Sequence, residues 1–257
     1  MNLERAKPTR RIRLLTVFGV VAVLLIAAEI RYPGSAANLT RYMVTKLRGG
    51  YTEVERVGHF GAAVEARLRR PVESAGLIYP PHELAYVAFK DSRRLEVYGR
   101  MSADQAWRFI KDYPVLGASG RLGPKMVEGD NQVPEGVYGA ELLNPNSRFH
   151  LSIKLDYPSE FDRKAAEIER RTELGSNIMI HGGSASIGCL AMGDEAVEDL
   201  FVLATLAGKE NVRIVISPVD LRRSPPPVVA GAALWVEELY DTLGRELRAF
   251  PIASASP

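Results

Sequence analysis

Residues 177–200 read NIMIHGGSASIGCLAMGDEAVEDL, and this stretch decides how the middle of the chain folds. Its apolar start predicts a short buried strand that ends at His181. The small residues that follow predict a loop running to Cys189. A helix is then predicted from Asp194 to Ala207, with Asp194 as its cap. The pattern therefore places a histidine and a cysteine at the two ends of one glycine-rich loop.

Cys189 and His181 can support nucleophilic catalysis. Such chemistry needs a thiolate, a base, and N–H donors that face the developing oxyanion. His181 is the candidate base, and the backbone N–H groups of Gly188 and Cys189 are the candidate donors. A cysteine or a histidine taken alone is more often structural, but their occurrence together in this loop favours the catalytic interpretation. We also expect an imidazolium at His181 to lower the pKa of the thiol.

The amino-terminal segment predicts export. Residues 14–28 read LLTVFGVVAVLLIAA, a run of 15 residues that follows a basic stretch. This length is long for a signal-peptide core and short of the roughly 20 residues that span a bilayer unaided. Cleavage after Ala37 and retention as one inner-membrane anchor are therefore both open. The basic residues before the run keep the amino terminus in the cytoplasm and place the body in the periplasm.

Composition and charge exclude several classes of function. The chain has 257 residues, of which 46% are hydrophobic and 25% are charged, as in an ordinary globular protein. The net charge is +2, but residues 1–37 carry six Lys or Arg and two Glu, so the remaining body is net negative. A negative body disfavours nucleic acid as a partner. Cys189 is the single cysteine, which excludes an internal disulfide and a multi-thiolate zinc site.

Hydrophobic patterning predicts strands in the middle of the chain and helices at its two ends. Helices are predicted over residues 38–76, 102–113, 161–171 and 229–250. Strands are predicted over residues 84–90, 95–99, 137–143, 148–157, 177–181 and 211–217. Residues 120–136 contain four Gly and two Pro and are predicted to be mostly loop.

A series of motifs between Leu84 and Val219 occurs in a recognisable order. The motifs are Leu95-Glu96-Val97-Tyr98, Gly123-Pro124-Lys125, Glu128-Gly129-Asp130, Pro134-Glu135-Gly136-Val137-Tyr138, Phe149-His150-Leu151, Asp156-Tyr157-Pro158, Asp162, Ile180-His181-Gly182 and Ser186-Ile187-Gly188-Cys189. In this order they resemble the L,D-transpeptidase catalytic domain, also called the YkuD-like domain. The resemblance is greatest to the Gram-negative subgroup of murein L,D-transpeptidases and peptidoglycan-lipoprotein amidases.

The resemblance implies an α+β fold with a mostly β catalytic core. This core would be a YkuD-like β-sandwich of mixed sheets, with flanking helices and an N-terminal membrane or signal helix. The implied domains are residues 1–37 (basic tail with signal peptide or anchor), 38–78 (helical segment), 79–220 (catalytic domain) and 221–257 (Pro-rich linker and amphipathic helix).

The resemblance also implies the site residues. Cys189 would be the nucleophile and His181 its partner, with Gly188 in the same loop and no metal or cofactor. Ser186 would either orient His181 or serve as a turn residue. The candidate substrate-binding residues are Lys125, His150, Gly182 and Gly183. His150 is expected to line the cleft or to be plainly exposed.

One departure from the broader family leaves the substrate carboxylate without an obvious partner. The family often has His directly before the Gly-Cys pair and Arg shortly after it, whereas this chain has Ile187 and Leu190-Ala191-Met192. Lys125 is the candidate replacement, and a solvated loop lysine is the other interpretation. Asp130 and Glu135 are expected to bind backbone N–H groups in turns.

The implied function is acyl transfer on diamino-acid stem peptides of peptidoglycan through a Cys189 thioester. Two alternatives stay open: an amidase that hydrolyses the peptidoglycan-lipoprotein link with the same site, and a non-catalytic cell-wall binding module. The implied partners are peptidoglycan stem peptides, a wall-attached lipoprotein in the amidase case, and the inner membrane through residues 14–28 if this segment is not cleaved.

Overall fold

The computed structural model describes residues 26–27, 29–30, 35–228, 231 and 233–252. The predicted signal or anchor segment, residues 14–28, lies almost wholly outside these residues. None of the helices in the described part of the chain is long and apolar enough to cross a membrane.

The described residues form five helices and nine strands, which confirms the predicted α+β class. The helices are α1 (Ser35–Leu47), α2 (Glu53–Ser74), α3 (Glu160–Ile168), α4 (Asp194–Ala207) and α5 (Trp235–Leu247). The strands are β1 (Glu83–Phe89), β2 (Arg94–Arg100), β3 (Arg108–Pro114), β4 (Gly117–Ala118), β5 (Gly136–Ser147), β6 (His150–Leu155), β7 (Met179–His181), β8 (Leu190–Ala191) and β9 (Val212–Ser217).

The strands form one mixed sheet in the order β3-β2-β1-β9-β5-β6-β7-β8-β4. The pairs β1–β9 and β7–β8 are parallel, and the other neighbouring pairs are antiparallel. The resemblance implies a β-sandwich of mixed sheets, whereas the strands are hydrogen-bonded into one continuous mixed sheet. The reason is β5, which pairs through Gly136 to Gly139 with β9 and through Ala140 to Ser147 with β6. Its register shifts twice against β6, and such irregularities bend a strand so that it can serve both halves of the sheet.

Helices α2 and α4 share one apolar core with the sheet. Val64, Leu68 and Val72 recur along one face of α2 and are fully buried in the same cluster as Leu200 of α4. Gly58 lies inside α2. The helix tolerates it because a capping box between Thr52 and Glu55 starts the helix and because tertiary burial outweighs the roughly 1 kcal/mol that a helical glycine costs.

The helix predicted over residues 102–113 is wrong. Its second half is β3, which pairs antiparallel with β2 and buries Ile110 and Tyr113. Residues 102–105 instead form a turn, in which the Gln105 N–H donates to the Ser102 carbonyl at 3.1 Å. The open edge of β2 offers a full ladder of hydrogen bonds, and this non-local gain overrides a local helix signal.

The C-terminal helix is shorter than predicted. Helix α5 begins at Trp235, whereas the predicted helix starts at residue 229, which lies outside the described residues. Leu239 and Leu243 are buried against the sheet, but Leu234 precedes the helix and is 93% exposed. The apolar pattern therefore predicted the buried face of the helix correctly but placed the start of the helix too early.

A buried ion pair holds the loop between β4 and β5. The Nζ atom of Lys90 lies 2.9 Å from Oε1 of Glu135, and Lys90 also donates to the carbonyls of Gly123 (2.8 Å) and Val133 (2.9 Å). Glu135 accepts the Gly123 N–H at 2.7 Å and the Tyr240 hydroxyl of α5 at 2.9 Å. The predicted role of Glu135 as a backbone acceptor is confirmed. Because a loop lacks ladder partners for its backbone groups, these two charges supply them.

Replacing Lys90 should destabilise the protein strongly. In Lys90→Met the Glu135 carboxylate loses its cation while it remains buried, and we expect the free energy of unfolding to fall by roughly 3–5 kcal/mol in urea denaturation. The matched control is Lys164→Met, which removes a Lys164–Glu160 pair whose side chains are 69% and 81% exposed. The control should change little. Equal losses in both variants would contradict this role of the buried pair.

Candidate active site

Two adjacent parallel strands bring Cys189 and His181 to the same side of the sheet. His181 ends β7, and Cys189 directly precedes β8. In the register of these strands, Ile180 pairs with Leu190 and His181 with Ala191. Ile180 and Leu190 are both buried in the core shared with α4. Since successive side chains of a strand alternate between faces, Cys189 and His181 lie together on the opposite face.

The His181 ring is fixed in one tautomer. Its Nδ1 atom lies 2.6 Å from the carbonyl oxygen of Gly182. A carbonyl can only accept a hydrogen bond, so Nδ1 carries the proton and Nε2 of the neutral ring has the free lone pair. The ring also stacks on Phe149, with 4.5 Å between centroids. Burial lowers the pKa of His181, and the hydrogen bond to Gly182 opposes this in part. The structure therefore presents a neutral imidazole with a basic Nε2.

The expectation of a lowered pKa for Cys189 is wrong. Burial raises the pKa of the thiol, and the Met179 backbone and the charge of Lys125 counteract this only in part. The Sγ atom lies 3.8 Å from the carbonyl oxygen of Asn177, and no hydrogen bond from Sγ to His181 occurs among the described residues. A neutral imidazole cannot supply the positive charge that the expectation required. At rest, Cys189 is therefore a protonated thiol and His181 a neutral imidazole.

Two serine hydroxyls shape the loop before Cys189. Ser186 Oγ donates to the Cys189 carbonyl at 2.6 Å and accepts the Cys189 N–H at 3.2 Å. Ser119, which follows β4, lies 3.2 Å away from this hydroxyl and accepts the Gly188 N–H at 2.6 Å. Ser186 thus acts as a turn residue on the backbone of Cys189. Ser119 was not predicted, because nothing in its local sequence points to a loop 67 positions away.

The predicted oxyanion donors are both occupied. The N–H of Gly188 points to the Ser119 hydroxyl and that of Cys189 to the Ser186 hydroxyl. Gly188 has a φ of +109°, a conformation that side-chain-bearing residues rarely adopt, so its N–H direction depends on glycine. An oxyanion could reach this N–H after the Ser119 hydroxyl rotates away.

Lys125 is neither solvated nor free. Its side chain is 5% exposed, and Nζ donates to Asp130 Oδ1 at 2.5 Å and to the Val127 carbonyl at 2.8 Å. Asp130 in addition accepts the N–H groups of Met126 and Val127, which confirms its predicted role in the turn. The contact of Lys125 with a substrate carboxylate stays a prediction, and it requires Lys125 to leave Asp130.

His150 faces helices instead of an exposed surface. It is 7% exposed, its Nε2 lies 2.9 Å from Glu198 of α4, and its Nδ1 lies 3.3 Å from the guanidinium of Arg41 in α1. The register shift before β6 and a φ of +76° at His150 turn its side chain away from the simple alternation of the strand. Its contact with substrate stays a prediction.

Gly182 and Gly183 allow the turn after His181 to approach α4. A Cβ atom on Gly182 would lie 2.5 Å from the Phe149 carbonyl oxygen and 2.8 Å from Asp194 Oδ1. The Gly183 N–H donates to the same Asp194 oxygen at 3.0 Å. Asp194 is therefore not the helix cap that the sequence predicts. Gly193 is the N-cap residue, and as a glycine it has no side chain that could make a capping hydrogen bond. The predicted substrate-binding roles of both glycines stay predictions.

Asp162 lies in the first turn of α3, whose N-cap residue is Ser159. Asp162 completes the capping box from inside the helix, since its Oδ2 accepts the Ser159 N–H at 2.8 Å. Its role is therefore to start α3.

A comparison with known proteins finds relatives at the sequence level. No family model matches the chain. A protein of Escherichia coli K12 described as "Putative L,D-transpeptidase YafK" is 35% identical over 135 residues, which cover 51% of this chain and 52% of that protein. The same protein of Escherichia coli O157:H7 matches equally. The chain thus spans about half the length of the curated relatives it matches.

Solved structures show weaker likenesses. The helical cell shape determining protein Pgp2 from Campylobacter jejuni is 21% identical, with 53% of this chain and 48% of that chain covered and a TM-score of 0.44. L,D-transpeptidase 1 from Mycobacterium tuberculosis is 14% identical, with 52% and 62% covered and a TM-score of 0.32.

The sequence relatives confirm the resemblance to a YkuD-like domain. Over the matched half, this chain is similar to proteins described as L,D-transpeptidases, at 35% identity in the curated relative.

The rate of alkylation of Cys189 should report the raised pKa of its thiol. With iodoacetamide, the folded protein should show an inflection above the roughly 8.5 of a free thiol, because burial disfavours the thiolate. The same chain unfolded in urea is the control and should titrate at the ordinary value. An inflection below the control would show that His181 supplies positive charge after all.

Removing the Ser186 hydroxyl should loosen the loop. Ser186→Ala leaves the Cys189 N–H and carbonyl without their partner, and we expect the free energy of unfolding to fall by roughly 1–3 kcal/mol. Ser184→Ala is the matched control, since no hydrogen bond of its side chain occurs in the described part of the chain. Urea denaturation of both variants measures the difference. Similar stabilities would remove Ser186 from this role.

Proposed function

We propose that this protein is a peptidoglycan-modifying cysteine acyltransferase that works through a thioester on Cys189. The observation that carries the proposal is the placement of Cys189 and His181 at the same end of the adjacent strands β7 and β8, with Nε2 of His181 left basic by the Nδ1–Gly182 hydrogen bond. The 35% identity to a relative described as an L,D-transpeptidase supports the choice of substrate.

The proposed reaction begins from a neutral pair. As Sγ of Cys189 attacks the carbonyl at the L-centre of a diamino acid, Nε2 of His181 takes the thiol proton. The resulting imidazolium gives this proton to the leaving amine, and a thioester is formed on Cys189. An amine acceptor in transpeptidation, or water in hydrolysis, then attacks the thioester and gives a proton to His181. The C–S bond breaks, and His181 returns this proton to the Cys189 sulfur. Burial disfavours charge on both groups, so we expect proton transfer and attack to occur together.

The oxyanion is proposed to bind beside Gly188. The Ser119 hydroxyl oxygen lies 2.6 Å from the Gly188 nitrogen, which is close to the distance expected for an oxyanion acceptor. When the Ser119 side chain rotates, the N–H of Gly188 becomes available to the tetrahedral intermediate. Ser119 thereby satisfies this donor while no substrate is bound.

The proposal includes the place where the reaction occurs. Peptidoglycan stem peptides lie outside the cytoplasm, and we propose that residues 14–28 act as a signal or an inner-membrane anchor that exports the body to the periplasm. A wall-attached lipoprotein is the proposed second partner in the hydrolytic case.

Mass spectrometry of muropeptides incubated with the full chain tests this function. Wild-type protein should form a new amide or release an amine, and a thioester mass should appear on the peptide that contains Cys189. Cys189→Ala should lower turnover by roughly 10³-fold or more, because the covalent path is lost.

The control for this experiment is stability. Cys189→Ala should unfold in urea like the wild type, since the change removes one sulfur from a partly exposed loop position. Wild-type turnover in this variant would refute the mechanism. Products formed only with water would favour the amidase alternative, and no product with any acceptor would favour the binding module.

A further inference from the structure

One peptide unit connects His181 to a carboxylate on α4. The His181 Nδ1 atom lies 2.6 Å from the carbonyl oxygen of Gly182, and the N–H of that same peptide unit belongs to Gly183. This N–H donates to Oδ1 of Asp194 at 3.0 Å. The peptide unit is planar, so its carbonyl and N–H cannot turn independently. The position of the Asp194 carboxylate therefore sets the direction of the carbonyl that orients the imidazole.

Helix α1 holds the other side of this carboxylate. Oδ2 of Asp194 lies 2.9 Å from a guanidinium nitrogen of Arg41. A second guanidinium nitrogen of Arg41 lies 3.3 Å from His150, which in turn lies 2.9 Å from Glu198, one helical turn after Asp194. Asn38, one turn before Arg41, is 6% exposed, and its amide nitrogen would lie 3.2 Å from a Cβ atom on Gly183. Helix α1 thus packs directly against the turn that follows His181.

The negative charge of Asp194 also favours the His181 tautomer that carries its proton on Nδ1. A hydrogen bond from an N–H to a carboxylate is charge-assisted and polarises the peptide unit, which makes its carbonyl a stronger acceptor. A stronger Gly182 acceptor favours the proton on Nδ1. It also favours the imidazolium that forms when Nε2 takes a proton from the thiol.

We propose that Asp194 is a positioning residue for His181, acting through the Gly182–Gly183 peptide unit, and that Arg41 of α1 holds the Asp194 carboxylate in place. The proposal rests on the proposed function in that His181 is the base of the reaction. The tautomer of His181, however, can be measured without any substrate.

Helix stabilisation alone would be a simpler role for Asp194. An acidic residue in the first turn of a helix interacts favourably with the helix dipole. Glu195 occupies the same turn of α4, is exposed, and makes no hydrogen bond to the turn after His181 among the described contacts. Glu195→Ala therefore removes an acidic group from the first turn of α4 without a contact to the turn after His181, and it is the matched control.

The test combines ring nitrogen-15 NMR of His181 with kinetics on muropeptides, using the full chain. In Asp194→Ala, the fraction of the Nδ1–H tautomer should fall, and kcat should fall by about 10-fold to 100-fold with KM within about twofold. Asp194→Asn keeps an acceptor oxygen and should restore most of the tautomer and part of kcat. Glu195→Ala should match the wild type in both measurements.

A second pair of variants leaves α4 unchanged. Arg41→Gln removes the ion pair that holds the Asp194 carboxylate. The fraction of the Nδ1–H tautomer should fall by less than in Asp194→Ala, and kcat should fall by about twofold to fivefold. Arg48→Gln, just beyond the same helix, is its control. If Asp194→Ala and Arg41→Gln leave the tautomer and kcat unchanged, the positioning role is refuted. If wild-type protein turns over no muropeptide, the proposed function fails, while a tautomer change in Asp194→Ala still supports the positioning role.

Discussion

Two charges that solvent hardly reaches, the Lys90 ammonium and the Glu135 carboxylate, join parts of the chain that share no strand ladder. Lys90 directly follows β1 and donates to backbone carbonyls of the loop before β5. Glu135 accepts a hydrogen bond from Tyr240 of helix α5. Ser119 lies at the start of this same loop and contacts the residues next to Cys189. The geometry around the thiol therefore depends on an ion pair that takes no part in the proposed chemistry and on the loop that this pair holds.

The candidate site keeps its two reactive groups uncharged. Burial raises the pKa of Cys189 and lowers the pKa of His181, so the two effects favour the same neutral state. A buried ion pair would need further hydrogen bonds to offset its desolvation, and here the available donors serve the loop backbone instead. The structure thus separates its buried charges, which hold the loop, from its reactive pair, which becomes charged only during the reaction.

Short-range patterns in the sequence predicted the features that depend on neighbouring residues. The apolar runs of the central strands and the proximity of His181 to Cys189 follow from neighbouring residues, and both predictions agree with the structure. The helix predicted over residues 102–113 failed because the edge of β2 was not visible in the local pattern. Ser119 was missed for the same reason, since it meets Ser186 only in the folded chain. Asp194 was expected to cap its own helix, and the sequence could not show that Gly183 competes for its carboxylate.

The neutral resting state of the thiol also affects how long it survives. The thiolate is the form that peroxides and disulfides attack, so a protonated Cys189 is oxidised slowly. The chain has no second cysteine that could resolve a sulfenic acid as an internal disulfide, so slow oxidation is its intrinsic protection. The same burial that makes the nucleophile reluctant to ionise therefore lengthens its chemical lifetime between encounters with substrate.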